Sequence, residues 1–506
     1  MNRTDRITAT LLALLLLLPS CAAAKPEEEE SETSVTAAPQ TPVPEEVPET
    51  DPPEYADPGK DYDGATFTTA AIDYYSQGGG TWACQSYCEA YTDETTGEIL
   101  NDAIYERNER VSDTLNVKMA TFSLTSYETA GTEIRDALLG GETSIDLCLE
   151  NGSSLPTLLS SGLLQNLYNF EKTDFSHSWW DQTSVKEFTF MNTLLAVTGD
   201  ISLGISLSPI TFFFNKQIVT DHDLEDPYTL AREGRWTFDT LIGMSETVAS
   251  DVNGNGKADL EEDRFGIALE PVSMAYAIYA GGVKLTKTDE EGIPYLDVDE
   301  ESIVSMLDVL APFFNETGVT MFSIKISGYT NVFRELFLPS LMENRLLFYD
   351  NQLLVAMNLR EMDSDFGILP HPKRNEAQET YLCPVSYWWA TFAVVPKVNS
   401  RYDLTGDMMD AMGYFSQKLV TPAYMEKTIQ GKTLRDEDSL EMLDLILSNR
   451  VYELAAIYDW GRINSIFGQL STNASPRFAS AYKSVQKVSG KALEKTIDEI
   501  RESLGQ

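Results

Sequence analysis

From Gly64 onward, short apolar runs alternate with amphipathic stretches, and that alternation predicts the elements. ATFTTAAI reads as a first strand and NVKMATFSL as a second. Between them Gly97 to Leu115 carries Ile99, Ala103, Ile104, Val111 and Leu115 at roughly helical spacing. A helix over Glu133 to Leu139 leads to the apolar strand IDLCLE, and a short helix leads on to SSGLLQNL. The same order then repeats: strand ITFFFNK, a helix after Trp236, strand FGIAL, a helix around Ile303 to Leu310, strand RLLFYD and a strand end at Gly367 to Pro370. Tyr387 to Pro396 (YWWATFAVVP) is expected as one long apolar strand, and from Asp403 the pattern is almost wholly helical. Strands alternating with helices predict βαβ units and largely parallel sheets. Ligands bind such sheets at the carboxyl ends of their strands. In the first half those ends are Tyr74-Tyr75, Glu150-Asn151-Gly152 and Gly199-Asp200.

The N-terminus breaks this pattern. Arg3 and Arg6 precede a run from Ile7 to Leu18 that is too short to span a bilayer comfortably and reads as a signal-peptide core. It ends in Leu18-Pro19-Ser20-Cys21, similar to a bacterial lipoprotein signal, so residues 1–20 are expected to be removed and Cys21 lipidated. The alternative is an ordinary secretory signal cleaved after one of Ala22 to Ala24. Lys25 to Asp63 holds 13 acids against Lys25 and Lys60 and is rich in Pro. Such a segment cannot bury enough surface to offset its ordering entropy, so residues 21–63 are expected to form a charged, disordered tether.

Composition narrows the chemistry. With 506 residues the chain is long enough for two large lobes, and its formal charge of −42 argues against nucleic acid. The same field repels acidic substrates, so neutral or cationic ligands fit better. Of the cysteines after Cys21, Cys148 lies in an apolar strand and reads as core, while Cys84 and Cys88 could pair locally. With three histidines in the chain, a zinc site is not indicated.

DVNGNGKADLEE places Asp251, Asn253, Asn255, Gly256, Lys257, Asp259 and Glu262 at positions 1, 3, 5, 6, 7, 9 and 12 of a loop. An EF-hand-type loop wraps Ca²⁺ from those positions, with side-chain oxygens at 1, 3 and 5, a carbonyl at 7, a Gly at the sharp turn and a closing Glu. The plain alternative is a solvated Asp/Asn/Gly turn. A helix leads in and a strand follows, so the loop is expected to be one isolated structural Ca²⁺ site.

Five phrases carry a resemblance: IDLCLENGSSLPTLLSSGLLQNL, ITFFFNKQI, REGRWTFDTLIGMSETVASDVNGNGKADLEEDRFGI, DFGILPHPKRNEAQETY and GKTLRDEDSLEMLDLI. In this order the chain resembles the extracellular solute-binding proteins of bacterial ABC importers, in the carbohydrate-binding branch. The resemblance implies an α/β, two-lobed, periplasmic-binding-protein-like (type II) fold with a multi-strand hinge and a helical C-terminus. Residues 64–205 with a return segment 380–420 would form one lobe. Residues 206–379 with C-terminal helices 421–506 would form the other. It further implies a monomeric, non-catalytic receptor, lipid-anchored on the extracellular side of the cell membrane, that traps a neutral sugar or oligosaccharide and hands it to ABC permease subunits. The Ca²⁺-type loop is also seen in this branch.

A sugar site stacks aromatics on C–H faces and aims a few polar groups at hydroxyls. The candidates are Trp82 and Tyr87 in a Gly-rich loop, Asn151, Asp200, Asp350 and Asn351 at strand ends, Trp388 and Trp389, and Trp460 with Tyr458. Asn151 could equally cap a helix, and Asp200 could equally form a hinge turn. Trp388 and Trp389, adjacent in a strand, would point to opposite faces, so at most one stacks on ligand. Trp179, Trp180 and Trp236 are expected to be packing residues. Two rivals are a surface lipoprotein that captures glycan without a permease, and a glycan-degrading hydrolase or lyase. For the latter the sequence offers no GxSxG, HExxH or P-loop.

Overall fold

The structure is a computed structural model, and it describes residues 55, 57–72, 94–126, 128–425 and 436–504. Nine strands build its two main sheets. They are β1 (Ala65–Ile72), β2 (Val117–Leu124), β3 (Leu147–Asn151), β4 (Ile210–Asn215), β5 (Phe265–Leu269), β6 (Thr320–Phe322), β7 (Leu346–Gln352), β8 (Phe366–Leu369) and β9 (Thr391–Val394). The helices used below are α1 (Ile99–Leu115), α2 (Ala130–Leu139), α3 (Leu155–Leu159), α4 (Phe238–Val248), α5 (Ser273–Ala280), α6 (Glu300–Phe314), α7 (Tyr402–Phe415), α8 (Glu437–Ser448) and α9 (Phe478–Leu504).

The first sheet has the order β9-β3-β1-β2. Strand β1 runs parallel to β2 along its whole length and parallel to β3, while β9 closes the edge antiparallel to β3 with Thr391 opposite Asn151. Crossover helix α1 buries Leu100, Ile104, Arg107, Val111 and Leu115, a stripe at helical spacing. Its start is fixed by Glu98, whose carboxylate accepts from the backbone N–H groups of Leu100 and Asn101, and its end by Asn116 at φ 49°.

The second sheet has the order β6-β5-β7-β4-β8. Here β5 pairs in parallel with both β6 and β7, whereas β4 is antiparallel to both its neighbours, β7 and β8. The sheet is thus mixed where a largely parallel one was expected. A periodicity reading cannot tell the two apart, because a strand covered on both faces is uniformly apolar in either direction. All six residues of β4 are buried. Each of Phe212, Phe213 and Phe214 contributes about 1.5–3 kcal/mol by leaving water. Trp236, fully buried, donates from its indole to the Pro370 carbonyl at 2.9 Å and packs on Phe348, as expected of a packing residue.

Two expectations change. The run Tyr387 to Pro396 is a strand only over β9, because residues 387–389 form a turn closed by Ala390 N–H donating to the Ser386 carbonyl at 3.0 Å. The acidic segment expected to run free to residue 63 is fixed sooner. Tyr55 stacks on Tyr414 at 5.1 Å, Lys60 pairs with Asp403 at 2.8 Å, and the Tyr62 hydroxyl donates to Asp407 at 2.6 Å, all on α7. In the C-terminal third, α7 packs on α1, α8 on β8, and α9 on α6. Cys148 and Cys383 are free and buried, and Cys21, Cys84 and Cys88 lie outside the described residues. Among the described residues no helix is long and apolar enough to cross a membrane.

Candidate ligand-binding site

The two sheets meet at the turn between Ser386 and Ala390. Gly152, just past β3, donates its N–H to the Ala390 carbonyl at 2.9 Å. A Cβ on Gly152 would stand 1.7 Å from the Tyr387 carbonyl oxygen, so only glycine lets these two backbones approach this closely. On the other side Ser386 N–H donates to the Ser208 carbonyl at 2.9 Å, just ahead of β4, and Pro209 bridges Val385. The Tyr276 hydroxyl of α5 donates to Ser386 Oγ at 3.2 Å. One turn is therefore tied at once to β3, to the start of β4 and to α5.

Beside this turn, two neighbouring parallel strands of the second sheet end together. The register sets Ala268 opposite Tyr349; Glu270 follows the last residue of β5, and Asn351 is the next-to-last residue of β7. Asn351 donates from its side-chain nitrogen to the Tyr349 hydroxyl on the same face. Glu270 stays partly open to solvent, and burial raises its carboxyl above the usual range. Burial, and then the negative charge of Glu270, also push the Tyr349 hydroxyl well up. Tyr276 packs 5.6 Å from Tyr387, which in turn lies 6.4 Å from Trp388. Trp388 is 45 % exposed, an unusual position for a large indole. Glu270 and Asn351 thus lie at neighbouring strand ends of the second sheet, and the exposed Trp388 lies in the turn that ties the two sheets.

Sequence reasoning missed Glu270 and Tyr276. The rule that selected Asn351, the carboxyl end of a strand, would have found Glu270 had it been applied to FGIAL as well.

Other candidates go elsewhere. Asp350 shares the strand face of Phe348, so it points away from Asn351 and lines a small pocket of about 10 Å³ with Phe212, Phe238 and His371. Burial pushes its carboxyl up to about 7; Ser273 hydrogen-bonds it, and one oxygen, Oδ1, has no partner. Asp200 accepts from Thr421 Oγ1 at 2.7 Å and Gln417 Nε2 at 3.0 Å. Trp460 is 3 % exposed, stacks on Tyr458 at 4.6 Å and donates to Thr496 Oγ1 at 3.0 Å within the C-terminal helices. Asn151 is buried and its side-chain oxygen accepts from Ser153 N–H at 3.0 Å, closing a turn ahead of α3, whose N-cap position is Ser154. Trp389 is half-buried against the core, in the turn and not in a strand. Trp179 and Trp180 are buried, both indoles donating to Asp410 Oδ1 at 3.3 Å. Trp82 and Tyr87 lie outside the described residues.

The 251–262 loop is exposed between α4 and β5. Asp251 accepts from the backbone N–H groups of Gly254 and Gly256, each at 2.7 Å, and Gly256 holds φ 76°. Asn253 donates to Asp259 at 2.8 Å and to Glu262 at 3.0 Å, and Asn255 donates to Asp259. The side chains at positions 3, 5, 9 and 12 therefore share one spot. Amides stand between the acids there: among the described residues no three His, Cys, Asp or Glu side chains form a metal-holding group.

No family model matches the chain, and no curated protein sequence matches it. Solved structures do. An ABC substrate-binding protein of Listeria monocytogenes in complex with cycloalternan superposes with a TM-score of 0.53 at 13 % identity, covering 88 % of this chain and all of the other. A solute-binding protein of an ABC transporter from Thermotoga lettingae bound with α-D-tagatose gives 0.53 at 12 % identity, over 85 % of this chain and 100 % of its own. A cyclo/maltodextrin-binding protein complexed with maltotetraose gives 0.52 at 12 %, over 87 % and 97 %. With two α/β sheets joined at the Ser386 turn, this chain has the two-lobed fold of ABC-importer solute-binding proteins.

Proposed function

We propose that the chain is an extracellular receptor that captures a carbohydrate at the lobe junction and delivers it to an ABC importer. The observation that carries this reading is the exposed Trp388 in the turn that ties the two sheets, with Glu270 and Asn351 at neighbouring strand ends, on a fold whose solved relatives bind sugars. The indole offers a face to sugar C–H groups, while the carboxylate and amide take hydroxyls. Buried polar groups of this kind reject ligands that leave them unpaired. The first reading is of an uncharged sugar and a monomeric receptor, anchored to the cell membrane through lipid on Cys21. No step of catalysis is assigned to it.

The residues of the 251–262 loop fit calcium, with Asp251, Asn253, Asn255, Asp259 and Glu262 supplying side-chain oxygens and Lys257 its carbonyl. A turn of the two amides about their last torsion would present oxygen where nitrogen now meets the acids. Three carboxylates among the donors suit a weak site filled at millimolar external calcium. The role is structural, joining α4 to β5.

A thermal-shift panel of mono- and oligosaccharides tests the central claim, since a ligand at 100 times its Kd stabilises the fold by about 2.7 kcal/mol. The expected result is a rise in melting temperature with a carbohydrate that is lost in Trp388→Ala, whose own unliganded melting point stays close to the parent's. A response to peptides or metals but to no sugar would sink the assignment.

A further inference from the structure

Strands β5, β7 and β8 run in one direction, since β5 is parallel to β7 and β4 is antiparallel to both β7 and β8. Each brings one polar residue to its carboxyl end. β5 leads to Ser273 at the start of α5, β7 carries Asp350, and β8 leads to His371. These side chains line one small pocket of about 10 Å³, and its other nine lining residues are apolar. Asp350 is 4 % exposed and His371 is 1 % exposed.

Polar groups buried this deeply are normally hydrogen-bonded, because leaving one unpaired costs its full desolvation penalty. Ser273 hydrogen-bonds Asp350 and so meets part of the need. Asp350 Oδ1 and both ring nitrogens of His371 still have no partner among the described residues. Phe212 and Phe238 pack on the imidazole in T-shaped contacts at 4.9 Å and 5.8 Å and offer it no hydrogen bond. Burial also works against an ion pair. It pushes the Asp350 carboxyl up to about 7 and the His371 imidazole down to about 3.

A neutral imidazole has one N–H and one bare nitrogen, and a carboxyl oxygen accepts. A molecule that donates and accepts at once suits both. One water needs roughly 10–15 Å³ of such space and takes about two to four polar partners. A wholly apolar pocket stays dry, but this one turns unpaired polar atoms inward.

We propose that one buried water is bound in this pocket, bridging Asp350 Oδ1 and a ring nitrogen of His371. It ties the end of β7 to the segment after β8, and through Ser273 the link extends to β5. This hub lies on the sheet face opposite Asn351 and does not depend on the carbohydrate reading.

A crystal structure of the mature chain, at a resolution that shows ordered water, is the direct test. The expected result is a single water within hydrogen-bond distance of Asp350 Oδ1 and of one His371 ring nitrogen. A dry pocket, or a direct hydrogen bond between the two side chains, would overturn the inference. In solution, water-oxygen relaxation dispersion counts long-lived internal waters. His371→Phe keeps an aromatic ring but removes both nitrogens, and it should show one such water fewer than the parent. An unchanged count in that variant, folded by its melting transition, would equally overturn the bridge.

Discussion

Replacing Glu150 by Gln should flatten part of the pH dependence of stability. Glu150 is fully buried at the end of β3, opposite Phe392 of β9. Its Oε1 accepts from the Asn151 N–H at 3.0 Å and from Ser154 Oγ at 2.5 Å, while Oε2 has no partner. Burial raises its pKa from 4.5 to about 8, against the smaller pull of those two hydrogen bonds. Since the folded value lies above the unfolded one, the group is most favourable to folding below pH 4.5, and that contribution is lost as pH rises through 8. At pH 7 the native state keeps a proton that the unfolded chain has released. Each pH unit above 4.5 costs about 1.4 kcal/mol, so the cost is roughly 3 kcal/mol at pH 7 and under ~1 kcal/mol at pH 5. Glutamine keeps the oxygen that accepts both hydrogen bonds. It places an unpartnered amide where the protonated acid has an unpartnered O–H, so the two proteins should match at pH 5. At pH 8 the variant should be more stable by about 3–4 kcal/mol. Guanidinium unfolding followed by tryptophan fluorescence at pH 5, 6, 7 and 8 measures the difference directly, and the self-repulsion of the net charge is common to both proteins. If the midpoints of parent and variant move in parallel with pH, the assignment of this cost to Glu150 is wrong.

Two further tests address the metal and the anchor. EDTA should lower the melting temperature of the parent and leave that of Asp251→Ala unchanged; a parent indifferent to EDTA removes the calcium claim. Expressed with its own leader, the parent should partition with membranes and detergent, and Cys21→Ser should appear in the aqueous phase; partitioning that survives the substitution would refute lipidation at that cysteine.

The strands were legible because buried strands of βαβ units are short unbroken apolar runs: FGIAL matches β5 to the residue, and ITFFFNK overruns β4 only by Lys216. Helices were legible where one face is apolar, as in α1. What failed was direction and partnership. Tyr387 to Pro396 is apolar throughout, but Ser386 closes a turn on Ala390 that no run of apolar residues announces. Asp350 was misplaced although its parity with Phe348, which packs on Trp236, carried the answer. The partners of Asp200 lie more than 200 positions away, at Gln417 and Thr421, and those of Trp460 in a helix that its own neighbourhood does not mention. Local patterns specify elements; which face meets which is decided by residues far along the chain.

Strand β9 shows how far. The edge of the first sheet is completed by Thr391 pairing with Asn151, about 240 positions earlier. During synthesis β1, β2 and β3 emerge long before their last neighbour, so β3 waits with one edge bare while the whole second sheet is made. An exposed apolar edge is a template for wrong pairing, and contacts of such long separation form slowly. The first lobe therefore begins first yet cannot close its sheet until the second sheet has been made. A fragment ending at residue 205 would hold most of that lobe's sequence and yet lack the strand that closes it.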